Sequence, residues 1–197
     1  MDNKYNSKYN SKYNIETEYK YLVDKIPNKY DKVVSISQYY FVKECIKELL
    51  MNLFSLSEDE FDEITTSRLR FVKNADNDSY ILTLKSKGAF SRKEYEKHLS
   101  SDLFNQIMNS IKNNITSIII KNRYYLNINL DNEILCLEFD EYLNLKDKMY
   151  TCEVEINNNT KELDEKILKI LNEKLNIKAI NVTDDYRYKN SNLHKYF

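Results

Sequence analysis

The sequence predicts an α+β chain in which a many-stranded antiparallel sheet curls into a barrel with a charged lumen and carries its helices outside. Three observations lead there. Charged residues recur two apart in segment after segment, turn-like compositions separate the strand-like runs, and several stretches have the 3.6-residue apolar spacing of amphipathic helices. A strand with charges on one face either shows them to water or encloses them. The helices favour enclosure, because their apolar faces need a partner and the apolar side of the strands is the surface on offer.

Taken in order, residues 3–14, NKYNSKYNSKYN, repeat Asn-Ser-Lys-Tyr every four residues with no aliphatic side chain, which reads as a disordered tail over 1–13. The folded domain then runs over 14–197. IETEYK opens it as a strand with Glu16, Glu18 and Lys20 on one face. Val33 to Phe41 reads as a second strand. VKECIKELLMNLFSL follows as a helix through Ile46, Leu49, Leu50 and Leu53, opening a helical insertion near 43–64. RLRFVK and YILTLKSK flank NADNDS, and a hairpin turning about Asp76-Asn77 places Arg68 opposite Lys85. Ser101 to Lys112 reads as a helix behind a Ser-Ser-Asp cap. RYYLNINL and ILCLEFDEYL flank Asp131-Asn132, which places Arg123 opposite Asp140. Lys161 to Leu175 is a helix with Leu163, Ile167, Ile170 and Leu171 apolar, and Ile81, Leu82, Leu84, Leu135, Leu137 and Val154 form the apolar side of the strands.

Composition removes several classes of function. At 197 residues with net charge −1, nothing in the overall balance steers the chain toward nucleic acid or an anionic membrane. No apolar run reaches the length of a spanning helix and the polar N-terminus has no signal-peptide core, so a cytoplasmic protein is expected. Cys45, Cys136 and Cys152 are odd in number and form no CxxC pair, and His98 and His194 are too few for a histidine-rich metal cluster. Gly88 is the only glycine, which excludes a Walker loop or a GxGxxG turn. Phosphate, if bound, must be held by side chains.

The two-apart charges then carry the chemistry. Arg68 and Arg70, Lys85 and Lys87, Glu94 and Glu96, Lys121 and Arg123, Glu138 and Asp140, and Glu153 and Glu155 repeat the opening pattern. One such stripe is a solvated face; a series of them in one lumen calls for a ligand. Paired carboxylates suit hard cations such as magnesium or manganese, and grouped arginines and lysines suit phosphate oxygens. A metal with a polyanion neutralises both sets.

These segments resemble, in order, the signature of the CYTH superfamily, the triphosphate tunnel metalloenzymes. IETEYK is similar to ExExK, SISQYYF to the IRQGYL strand, RLRF to the paired-arginine strand, and YILTLKSKG and SRKEYE to LTIKGK and SRxExE. IIKNRYYL, LEFDEY and CEVEI resemble the KxRY, EVDxF and AEIEL strands, and NVTDDYRYKNSNL resembles the closing VTGDxRYxNSNLA of the small bacterial branch. The resemblance implies an eight-stranded antiparallel tunnel and metal-dependent hydrolysis of inorganic triphosphate to pyrophosphate and phosphate. Its alternatives are thiamine or nucleoside triphosphate hydrolysis, cyclisation of ATP, or noncatalytic polyphosphate binding. It implies magnesium or manganese on Glu16, Glu18 and Glu155, with Glu153 and Asp140 as neighbouring acids and Lys20 completing the catalytic set. It implies phosphate contacts from Lys20, Arg68, Arg70, Lys85, Lys87 and Arg123, with Arg92, Lys121, Glu94 and Glu96 at further motif positions. Ser37 and Tyr39 depart from the usual Arg and Gly, which predicts a missing phosphate contact and a narrower lumen there. The partner is a small-molecule triphosphate, with neither nucleic acid nor membrane, and the chain is a monomer or homodimer.

Overall fold

A computed structural model describes residues 12–88, 90–131, 133–156 and 161–197. The disorder expected of the Asn-Ser-Lys-Tyr tail concerns residues that lie, but for Lys12 and Tyr13, outside that set. Eight strands, β1 (Asn14–Val23), β2 (Lys32–Phe41), β3 (Ile64–Lys73), β4 (Ser79–Ser86), β5 (Ser91–Leu99), β6 (Ile115–Leu130), β7 (Glu133–Tyr142) and β8 (Tyr150–Glu155), form an antiparallel ring. Its order is β5-β4-β3-β2-β6-β7-β8-β1, and β1 closes it by pairing with β5.

The seam is shared. One edge of β1 pairs with β5 from Asn14 to Thr17 and with the short β9 (Ala179–Asn181) from Tyr21 to Val23. Between them the backbone is held by loop groups. Glu18 N donates to Phe90 O at 3.4 Å, Val182 N donates to Lys20 O at 2.8 Å, and Lys20 N donates to Thr183 Oγ1 at 3.0 Å.

Helices cover the outside because the strands alternate. Leu69, Leu82, Leu84 and Tyr95 project outward and are buried by Leu50 and Phe54 of α1 (Lys47–Phe54), Phe61 of α2 (Glu58–Glu63) and Phe104, Ile107 and Ile111 of α3 (Ser101–Ile111). Burying each of these large side chains stabilises the fold by about 1.5–3 kcal/mol. A capping box starts α2, with Ser57 and Glu60 each bonding the other's backbone, and Ser100 caps α3. On the far side, Ile167 of α4 (Lys161–Lys169) and Leu171 of the wider turn that follows it pack on Tyr19, Tyr21, Leu137, Phe139 and Val154. No described helix is long and apolar enough to cross a membrane.

Register confirms one hairpin and corrects the other. Leu130 pairs with Glu133 around a turn in which Asp131 has φ 50°, and Arg123 faces Asp140 as expected. The first hairpin is shifted by two: Val72 pairs with Ser79, so Arg68 faces Thr83, and Lys85 faces Thr66. A six-residue connection, 73–78, replaces the two-residue turn assumed from NADNDS, and the like-charge confrontation disappears. Ile81 likewise shares the inner face of Thr83 and Lys85, not the outer face of Leu82 and Leu84, as a period of two requires.

One end of the ring is filled. The segment after β9 turns through Tyr186–Tyr188 into α5 (Leu193–Tyr196), and the fully buried Leu193 meets Tyr40, Ile119, Tyr142 and Met149. Tyr40, Ile119 and Tyr142 continue the inner faces of β2, β6 and β7, so the lumen has an apolar plug at this end.

Candidate active site

The other end opens into a cavity of about 660 Å³ lined by charged side chains from seven of the ring strands or their ends and by residues 182–191 of the closing segment. Strand β1 contributes Glu16, Glu18 and Lys20, β3 Arg68 and Arg70, β4 Lys85 and Lys87, and β5 Arg92, Glu94 and Glu96. Arg123 comes from β6, Glu138 from β7, and Glu153 and Glu155 from β8. The period of two turns them toward the cavity, except Lys87, which lies just past the end of β4.

Register decides which charges are already satisfied. Glu16 faces Arg92, and its carboxylate accepts from Arg92 Nε at 2.8 Å and from Lys85 Nζ at 2.6 and 2.7 Å. Burial would raise its pKa, but Lys85 and Arg92 hold it below the usual value. Lys20 faces Glu153 and lies 2.9 Å from it. Glu153 is also bound by Arg123, and the charges of Lys20, Arg123 and Lys121 outweigh burial to hold it well below the ordinary range.

Other positions are in conflict. Glu18 faces Glu155 across the β1–β8 ladder, and Glu138 faces Glu153 across β7–β8. Opposed like charges cost up to about 1 kcal/mol per pair. Burial, then Glu153 and Glu16, push Glu18 up to about 7. Burial, then Glu138 and Glu16, raise Glu155. These carboxylate oxygens form a hard donor set with surplus negative charge, the chemistry that suits magnesium or manganese. Among the described residues no three Asp, Glu, Cys or His side chains converge as a ready-made metal site, because Glu16 is turned onto its lysine and arginine. The residues fit a cation only once those partners are drawn to another anion.

The cationic side shows the complementary want. Arg68 and Arg70 each have a buried Nε with no hydrogen-bond partner. Arg68 reaches Thr83 Oγ1 at 3.1 Å and lies 3.7 Å from Glu94; Arg70 has no ion pair among the described residues.

Two expected site residues sit below the cavity. Lys121 and Asp140 are completely buried, and both oxygens of Asp140 are engaged, by Lys121 and by Arg123 at 2.7 Å. Burial and then Arg123 push Lys121 down to about 8. This triad is a floor beneath the cavity that fixes Arg123. Lys87 stands exposed at the rim. Ser37 and Tyr39 alternate with the inward Gln38 and Tyr40 and do not line the cavity, so they neither remove a phosphate contact nor narrow the lumen. Tyr39 packs against the outer core instead.

Residue-level reading named Glu138 in a charge pair without giving it a role and left out Gln38, Lys189 and Asn190; all four line the cavity. Glu138 was signalled by its spacing to Asp140; Lys189 and Asn190 lie in a segment without alternation and enter only through its path in the fold.

No protein-family model matches the sequence, and no curated protein matches it significantly. Solved structures do. The inorganic triphosphatase NE1496 superposes with TM-score 0.54 at 22% identity, over 92% of this chain and 95% of that one. PH1819 from Pyrococcus horikoshii OT3 gives 0.51 at 15% identity, over 82% and 88%. The chain shares the tunnel fold of these structures. The ring is therefore the frame in which the arginines with unpartnered Nε groups and the opposed glutamates are placed, and its helices lie outside the charged interior.

Proposed function

We propose that the chain is a metal-dependent triphosphatase that splits inorganic triphosphate into pyrophosphate and phosphate inside the tunnel, acting in the cytoplasm. The observation that carries this is the coexistence in one cavity of Arg68 and Arg70, whose buried Nε groups have no partner, with the mutually repelling Glu18 and Glu155. A triphosphate with a divalent cation supplies what each set lacks. Likeness to the fold of a triphosphatase supports the reading.

In this mechanism Arg68, Arg70, Lys85, Arg92, Arg123 and Lys20 bind phosphate oxygens, the arginines in the forked manner their geometry allows. As Lys85 and Arg92 turn to the substrate, Glu16 is released beside Glu18 and Glu155. These three would hold magnesium or manganese, which when bound neutralises phosphate charge and favours attack by water. A water in line with the terminal phosphorus forms the new P–O bond while the bridging P–O bond breaks, its electron pair leaving on the pyrophosphate oxygen; one water proton stays on the phosphate and the other passes to solvent. The protein supplies position and field and no covalent nucleophile.

Tyr125 and Tyr188, which also line the cavity, favour a second reading in which a nucleoside or thiamine triphosphate lays its ring on an aromatic face. The deciding experiment measures phosphate release from tripolyphosphate, ATP and thiamine triphosphate, each with magnesium, manganese or chelator. Metal-dependent release from tripolyphosphate alone is the expected result. Faster release from an organic triphosphate establishes the second reading. Tight tripolyphosphate binding without release makes the tunnel a binding module and overturns the catalytic assignment.

A further inference from the structure

Lys20 is held by the closing segment through both its backbone and its ammonium. Its backbone N–H donates to Thr183 Oγ1 and its carbonyl accepts from Val182 N, at the seam where neither β5 nor β9 reaches β1. Its ammonium donates to Asn190 Oδ1 at 2.9 Å and lies 2.9 Å from Glu153 Oε1. The same Asn190 oxygen accepts from Tyr142 OH at 2.7 Å, and Asn190 Nδ2 donates to Glu153 Oε1 at 3.4 Å. One amide thus touches the cation, its counter-ion and Tyr142 of the plug. Leu193, three residues on and fully buried in the plug, fixes where that amide sits.

We propose that Asn190 is a positioning residue that aims the Lys20 ammonium into the tunnel; its catalytic consequence rests on the triphosphatase reading above. An ammonium has three N–H donors. Glu153 and Asn190 take two, which leaves one for a phosphate oxygen. Without Asn190, the ammonium is free to fold onto Glu153 alone, and the Tyr142 hydroxyl loses an acceptor. Only a side chain with an acceptor for two donors and a donor for Glu153 fills all three roles, and asparagine has that inventory.

Two readouts test this. The first needs no activity: lysine ammonium signals from ¹⁵N-lysine-labelled protein, with the Lys20 signal assigned by its loss in Lys20→Arg. Asn190→Ala is expected to shift or broaden that signal; an unchanged signal in Asn190→Ala overturns the proposal. Should Asn190→Ala fail to fold, Asn190→Ser, a smaller change that also withdraws the amide, is read in its place, and a Lys20 signal unmoved in Asn190→Ser overturns the proposal equally. The second readout is tripolyphosphate turnover. Asn190→Ala should lower kcat/KM about 10-fold or more in the wild-type background and less than about twofold in Lys20→Ala, because the two act as a unit. Equal losses in both backgrounds mean a merely structural role and overturn the positioning claim. A wild-type protein inert toward tripolyphosphate overturns the triphosphatase reading while the ammonium signals still decide Asn190.

Discussion

Glu16 and Glu18 differ by two positions and yet lead opposite electrostatic lives. Glu16 binds both Lys85 and Arg92, whereas Glu18 shares only the far nitrogen of Arg92, at 3.1 Å, faces Glu155, and is pushed up to about 7 by burial and by neighbouring carboxylates. Replacing Glu18 by Gln should abolish turnover, with the far-UV spectrum and unfolding midpoint at or above wild type, since the change removes repulsion; retained activity at saturating metal would refute its role. Arg70→Ala deletes the guanidinium that has no ion pair among the described residues. It should raise KM for tripolyphosphate by about 10- to 100-fold, the scale of one charge-assisted contact of about 1.5–3 kcal/mol, and initial-rate kinetics would show it. Ser37→Arg, which restores the residue usual in the resembling motif, should change neither kcat nor KM, because position 37 lies on the outer face. Gly88 is constrained sterically: a Cβ there would lie 2.2 Å from Ser91 O, a backbone atom that cannot step aside. Its carbonyl also accepts from Lys189 Nζ at 3.1 Å, which ties the β4–β5 turn to the closing segment.

Elements were legible in proportion to how strongly a period marks them. The two-residue alternation of IETEYK and CEVEI and the apolar spacing of Lys161–Leu175 fixed strands and helices, and with them the inward placement of Glu16, Glu18, Lys20, Glu153 and Glu155. Which charges meet was only half legible. Leu130 pairs directly with Glu133, so the register of that hairpin followed from counting, while the connection 73–78 is long enough to slip by two and moved Arg68 from Lys85 to Thr83. The segment from β9 to α5 has a three-residue strand, a single turn of 3₁₀ helix and four helical residues, too short for any period, so Lys189 and Asn190 were missed as site residues. Leu193→Ala tests what this segment does. Removing a fully buried leucine should cost about 2–5 kcal/mol in urea unfolding, and the loosened plug should raise KM as well, because Asn190 is anchored by it.

At the scale of the whole molecule, the tunnel brings many like and unlike charges into one enclosure, and ligand binding is coupled to stability. Tripolyphosphate with magnesium at about 100 times its dissociation constant should stabilise the folded chain by about 2.7 kcal/mol, which for a domain of this size raises the unfolding midpoint by roughly 5–10 °C. Differential scanning calorimetry should show the shift with metal and tripolyphosphate together and less with either alone, because each relieves only half of the imbalance. Equal shifts with phosphate alone would mean that the carboxylates take no part.

The shared seam of β1 has a consequence in time. Residues 14–17 of this strand wait for residues 91–94, residues 18–23 for residues 150–155, and residues 21–23 again for residues 179–181. Such distant pairings are slow to form, since chain entropy is surrendered before the contacts repay it. During synthesis the first strand therefore emerges long before its partners, and a ribosome must have released the Asn190 region before Lys20 has its full set of neighbours. Nascent chains arrested ahead of residue 179 carry all eight strands of the ring and still lack the plug and the groups that hold Lys20, so the cavity is completed last.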